Sequence, residues 1–275
     1  MSDDTGVGWT EPARSGGGGF AGAGADETVR QIADAVLYEG HVLYPYRPSA
    51  PKNRQRWTFG GVYPPAYAEA TGERSFVGFE AIVEGERPRV DVEVRYLVGT
   101  VERTAGVGPL ESPPGFVAAR CDELRPGVHR LSVTIENTSA WSGHDRNEAM
   151  RHTLGSAHAV AHVAAGTFVS PRETDEPLCQ EGLWPVLVGE PGERSTLLAS
   201  AIVLDDYPRV APESPGDFFD GCEIDQLLVL GILGLSDAEK EEVRAGDPRA
   251  RTILERTEAM SPDELMRLHG TWRGV

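Results

Sequence analysis

Cysteine is scarce in this chain of 275 residues, and the three present, Cys121, Cys179 and Cys222, are odd in number and widely spaced. That arrangement fits reduced thiols better than a disulfide framework. No CxxC pair occurs, so neither a thiolate zinc site nor an iron–sulfur site is expected within one chain. Long apolar runs are also missing. The longest, Leu227 to Leu235, falls far short of the roughly 20 residues that cross a bilayer, so no membrane insertion is expected. The opening MSDDTGVGWTEPARSGGGG has neither a basic start nor an apolar stretch, which predicts no signal peptide and a cytoplasmic location. Positive charge is in deficit: 26 Lys and Arg face 43 Asp and Glu, a formal net charge of −17. Phosphate affinity depends on clustered cations, so this balance argues against nucleic acid and anionic lipid as partners. There is no phosphate-loop glycine spacing, no GxSxG elbow around Ser156, Ser195 or Ser200, and no internal repeat. No cofactor is expected from such a chain.

What is present divides the chain into three parts. Residues 1–25 are rich in Gly, Ser and Ala and predict a flexible tail. Residues 26–235 predict a β-rich body with short helices. It opens on a helix capped by Asp26, with Val29, Ile32, Val36 and Leu37 on one face and Gly40 at its end. Val90, Val92, Val94, Tyr96 and Val98 alternate with Asp91, Glu93, Arg95 and Leu97, and Leu131, Val133 and Ile135 alternate with Ser132 and Thr134. Period-two alternation marks strands with one buried face. Gly106 to Gly115 holds too much Gly and Pro for a regular element and reads as a loop. A short helix is predicted within Asp145 to Ser156, leading to a strand through Val160, Val163 and Phe168. A strand pair is predicted at Trp184 to Val188 and Thr196 to Leu204. Residues 236–275 predict a helical appendage, with a capping box at Ser236 and Glu239, a helix start at Asp247–Pro248, and the same logic at Ser261, Pro262 and Glu264 before Gly270 ends the last helix. The expected class is α+β: an antiparallel β-sandwich-like body with an N-terminal helix and a C-terminal helical appendage.

Three constellations stand out. His152, His158 and His162 lie close in sequence, and His158-x3-His162 has metal-ligand spacing if the segment is helical. If it is a strand, the two stand about 13 Å apart, too far for one ion. The loop Arg47 to Arg56 gathers Arg47, Lys52, Arg54 and Arg56 beside Tyr44, Tyr46 and Trp57, a mixture suited to gripping a phosphate, a carboxylate cofactor or an acidic surface. Finally, Leu204 to Asp225 is an acidic segment stiffened by Pro208, Pro212 and Pro215, with Tyr207, Arg209, Asp217, Asp220, Glu223 and Asp225 as candidate contacts. The basic loop and the acidic ribbon are expected to pair with each other or to form a shared docking surface.

Four stretches carry a resemblance: LYEGHVLYPYRPSAPKNRQRW (Leu37 to Trp57), SAHAVAHVAAGTFVS (Ser156 to Ser170), the segment Glu181 to Leu228, and LMRLHG (Leu265 to Gly270). Together they resemble an uncharacterised protein family associated with uptake [NiFe]-hydrogenase gene clusters in actinobacteria. That resemblance implies an accessory role in assembly, maturation or stability of a redox metalloenzyme, with hydrogenase subunits or maturation factors as protein partners, and supplies no catalytic residue. The leading expectation is therefore a non-catalytic docking protein that uses Arg47, Lys52, Arg54, Arg56 and Trp57 together with the acidic ribbon. The alternatives are a metal-dependent hydrolase built on His152, His158 and His162, and a small-ligand carrier.

Overall fold

The structure is a computed structural model that describes residues 23–40, 43–54, 58–209, 218 and 225–267. In chain order the elements are α1 (Ala23–Tyr38), a single turn α2 (Pro51–Arg54), α3 (Pro65–Thr71), β1 (Phe76–Glu84), β2 (Val90–Val98), β3 (Val101–Ala105), β4 (Gly108–Glu111), β5 (Pro114–Arg125) and β6 (Val128–Asn137). These lead into α4 (Arg146–Arg151), β7 (Gly155–Val163), β8 (Thr167–Val169), β9 (Gln180–Glu181), β10 (Trp184–Leu187) and β11 (Thr196–Ser200), then α5 (Asp225–Leu233), α6 (Asp237–Ala245), α7 (Pro248–Glu258) and α8 (Pro262–Arg267).

The strands build two sheets. One runs β4-β5-β6-β1-β8, with β9 also on β1, and the other runs β10-β11-β7-β2-β3. Every ladder between strands is antiparallel. Alternation does the sorting. Val77, Phe79, Ala81 and Val83 of β1 and Leu131, Val133 and Ile135 of β6 share one core with Val92, Val94 and Tyr96 of β2 and Ala157, Ala159 and Ala161 of β7. The α+β sandwich with an N-terminal helix and C-terminal helices is thus the observed architecture.

β7 departs from the one-faced pattern because both of its faces are covered. Its outward Val160 packs with Val186, Val188 and Leu198 against Ile32, Ala33 and Val36 of α1. α1 begins at Ala23, so Asp26 lies inside the helix and is not its cap, and Leu37 and Tyr38 at its end pack on Leu97 of β2.

Gly106 to Gly115 is a hairpin and not the expected loop: β4 pairs with the start of β5, in register from Gly108↔Val117 to Glu111↔Pro114. Proline is tolerated there because β4 is an edge strand and needs no inner ladder donor at Pro109. Strands β1, β3 and β5 and helix α3 had no sequence expectation. The strand expected to reach Leu204 ends at Ser200.

The C-terminal helices start where their caps predict. Ser236 and Glu239 form a reciprocal capping box, Asp247 accepts from the Arg249 N–H, and Ser261 exchanges bonds with Glu264. α5 joins this group although it precedes Ser236: Leu228, Val229 and Ile232 are buried with Val243, Ala250, Ile253 and Leu254. Gly270, expected to end the last helix, lies outside the described residues.

Asn137 closes the sandwich end. Fully buried, it donates from Nδ2 to the carbonyls of Val62 (2.9 Å) and His152 (2.6 Å) and accepts from the Ser139 N–H at 2.9 Å. Asn137→Ala removes three buried hydrogen bonds, and only the Val62 carbonyl keeps another donor, the Leu154 N–H, so a loss of about 2–4 kcal/mol in unfolding free energy is expected by urea denaturation. A loss below about 0.5 kcal/mol would contradict this account.

Candidate functional site

The three histidines occupy three environments. β7 is a strand, so His158 and His162 share a face about 13 Å apart. His152 sits at the C-terminal end of α4, stacked on Trp141 with ring centroids 5.5 Å apart. Trp141 in turn packs on Tyr67, and Tyr67 stacks on Tyr63, which ties α3 to α4. His162 Nδ1 lies 3.2 Å from the Thr196 hydroxyl on the neighbouring strand. The histidine group therefore does not converge, and among the described residues no set of three His, Cys, Asp or Glu is placed to hold a metal ion.

His158 instead lies beside a charged cluster built around Arg95. It is 0% exposed, beneath α1, and cross-strand from Arg95. Its Nδ1 lies 3.0 Å from the Ser156 carbonyl, which can only accept, so Nδ1 carries the proton and Nε2 is the acceptor. Nε2 is buried with no hydrogen-bond partner. Burial, opposed by the Ser156 bond and reinforced by Arg95, pushes the imidazole down to about 4. Above it, Arg95 Nη2 donates to Asp34 of α1 at 2.5 Å and to Glu102 of β3 at 2.5 Å, while its Nε donates to Glu102 at 3.0 Å. The Tyr38 hydroxyl donates to Glu102 at 2.9 Å. Burial and that bond raise the phenol to about 12. Burial alone would raise Glu102, but the bonds from Arg95 and Tyr38 outweigh it and hold the carboxyl below its usual value. The Arg249 guanidinium of α7 lies 3.5 Å from the Tyr38 ring centroid. This arrangement is suited to holding elements together. Leu97 among the polar residues of β2 was the available hint that this face is covered.

The basic loop clamps the helices. Arg47 pairs with Glu239 of α6 at 2.8 Å, and Ser49 donates its backbone N–H and hydroxyl to Glu242, each at 2.8 Å. Asn53 spans the loop, accepting from the Leu43 N–H and donating to the carbonyls of Leu43 and Arg47. Tyr46, fully buried, donates to the Phe218 carbonyl at 2.9 Å. Arg47 thus pairs with the helical appendage, where α6 presents a carboxylate to it across a shared apolar core. Lys52 and Arg54 lie on α2 with side chains outside the description, and Arg56 and Trp57 lie outside the described residues.

The described part of the ribbon is also bound inward. Asp205 pairs with Arg172, and Asp206 accepts from the Ser170 hydroxyl at 2.5 Å and the Leu187 N–H at 2.8 Å. The Tyr207 hydroxyl donates to the Glu193 carbonyl at 2.9 Å, and Arg209 pairs with Glu190 at 2.7 Å. Asp217, Asp220 and Glu223 lie outside the described residues, as does the side chain of Asp225.

An open surface lies on the outer face of the six-stranded sheet. Register places Pro109, Phe116, Glu136 and Phe76 side by side across β4, β5, β6 and β1. Phe116 and Phe76 are each 45% exposed, and the next row holds Ala118, Thr134 and Gly78. A Cβ on Gly78 would stand 2.7 Å from the Val133 carbonyl, so this part of the face stays flat and shallow. The sequence reading missed this row. The signal available was Phe116 in phase with Ala118 and Arg120, an aromatic on the polar side of an alternating segment.

No protein-family model matches the chain, and no curated protein matches it.

His158 gives the cluster a measurable signature. Its folded pKa is below the ordinary value of 6.5, so the unfolded state binds the extra proton first. Stability is then complete above about pH 6.5 and falls by roughly 3 kcal/mol as pH drops towards about 4. Urea denaturation across that window should show this slope in the parent and a clearly shallower one in His158→Leu, where only the carboxylates still contribute at the acid end. An equal slope in both would assign the acid sensitivity elsewhere.

Proposed function

We propose that this protein is a non-catalytic accessory protein that assists assembly, maturation or stability of a redox metalloenzyme such as a [NiFe]-hydrogenase, and that it acts by protein–protein docking. The observation that carries the docking reading is the exposed row Pro109–Phe116–Glu136–Phe76. An aromatic pair raised on a flat, rigid sheet, with small residues beside it and one carboxylate between its members, suits the centre of a protein interface better than a site for chemistry. The family resemblance of the four sequence stretches supports the partner class: a hydrogenase subunit or a maturation factor presenting an apolar patch. The charge balance supports a partner that is neither nucleic acid nor lipid. Among the described cations of the basic loop and the ribbon, Arg47 and Arg209 pair within the chain, which favours the open sheet as the docking surface.

Affinity purification of the tagged full chain from its native cells, with hydrogenase subunits and maturation factors quantified by mass spectrometry, tests both parts. The parent should enrich those proteins, and Phe76→Ser combined with Phe116→Ser should reduce the enrichment by about tenfold or more with an unchanged thermal midpoint. Equal enrichment by parent and variant would reject the sheet face, and failure of the parent to enrich any of them would reject the hydrogenase assignment.

A further inference from the structure

The helices α5, α6 and α7 enclose a core of their own. Its buried residues are Tyr46, Phe218, Leu228, Val229, Ile232, Val243, Ala250, Ile253 and Leu254, and none belongs to a strand. The loop 43–54 goes with this unit, through Tyr46, Arg47 and Ser49. Tyr44 is committed to it as well: a Cβ on Gly231 of α5 would fall 2.6 Å from the Tyr44 hydroxyl. The sandwich has a separate core between its sheets, and α1 is seated on the outer side of one sheet by further apolar contacts.

One cation of the helical unit reaches across to the body. Arg249, in the first turn of α7, places its guanidinium on the face of Tyr38, the last residue of α1. Tyr38 is braced from the other side, because its hydroxyl is held by Glu102, Glu102 by Arg95, and Arg95 by Asp34. The ring therefore cannot turn away from the cation without breaking a bond in a partly buried network. Attraction of a guanidinium to an aromatic face is strengthened by such desolvation.

We infer that Arg249, Tyr38, Glu102 and Arg95 form a clasp that fixes the helical unit onto the sandwich, and that opening it releases the unit as a folded arm. This goes beyond the docking role and does not depend on it. The physical ground is the separation of cores: each unit keeps its buried apolar residues when the clasp opens, so the orientation of the arm costs far less to change than its fold.

Spin labels on exposed positions of the two units test the inference. In full-length protein carrying Cys121→Ser, Cys179→Ser and Cys222→Ser, labels are attached through Glu255→Cys on α7 and Asp122→Cys on β5, and the distance distribution is measured by pulsed electron resonance. The otherwise unchanged protein should give one narrow distribution. Arg249→Ala and Tyr38→Leu should each broaden it by about twofold or more, with Arg249→Lys closer to the parent because it keeps a cation over the ring. Far-ultraviolet circular dichroism should be unchanged in all three. A distribution as narrow in Arg249→Ala as in the parent would overturn the clasp, and so would a parent already as broad as the variants. Loss of helical signal in Arg249→Ala would overturn the separate arm.

Discussion

The rest of this structure depends on one strand being buried on both sides. β7 presents Ala157, Ala159 and Ala161 to the core between the sheets and His158 and Val160 to α1. A strand in that position exposes almost nothing to water, so each polar group on it must find a partner or stay uncharged. His158 meets that requirement by remaining neutral, with its one N–H on the Ser156 carbonyl. The need to cover the outer apolar residues of β7, β10 and β11 brings α1 onto the sheet, and α1 in turn carries Asp34 and Tyr38 to Arg95 and Glu102.

Much of the positive charge in this acidic chain is engaged within it. Several arginines pair with the chain's own carboxylates: Arg47 with Glu239, Arg95 with Asp34 and Glu102, Arg172 with Asp205, Arg194 with Glu173 and Arg209 with Glu190. Most of these pairs are exposed and contribute little to stability. Their effect is positional, because they fasten the loop 43–54 to α6 and the segment after β11 to its neighbours. The exposed Phe76 and Phe116 stand on a sheet whose backbone is already committed to ladders, so the shape of that face is set in advance.

The sandwich core and the helical core divide the labour between rigidity and placement. The sandwich resists deformation because its strands are paired and its interior is filled from both sheets. The helical unit holds itself together through α5 and α7 and is oriented on the body by side chains, with Arg249 stacked on Tyr38 as one direct link. A polar link of this type is weaker than a shared core and more sensitive to its surroundings, which is why orientation is the property most open to change.

Local chemistry was legible without the fold. The alternation of β2 and β6, the caps at Ser236, Asp247 and Ser261, and the amphipathic face of α1 each depend on residues within a few positions of one another, and each formed where its pattern lies. Gly106 to Gly115 misled because proline forbids an inner strand but not an edge, and being an edge is a property of the whole sheet. The histidine spacing misled for a related reason: whether His158 and His162 are one helical turn or four strand residues apart depends on which element wins the segment. By itself the sequence determined the class, the strand alternation and the helix starts, since these follow from backbone preferences and short-range periodicity. Only the tertiary structure decided that Arg95, Asp34, Glu102, Tyr38, His158 and Arg249 meet, and that Phe76 and Phe116 share an open row. An amphipathic pattern states which face must be covered but not what covers it, and those partners are brought together by sheet register and helix docking across long separations in the chain.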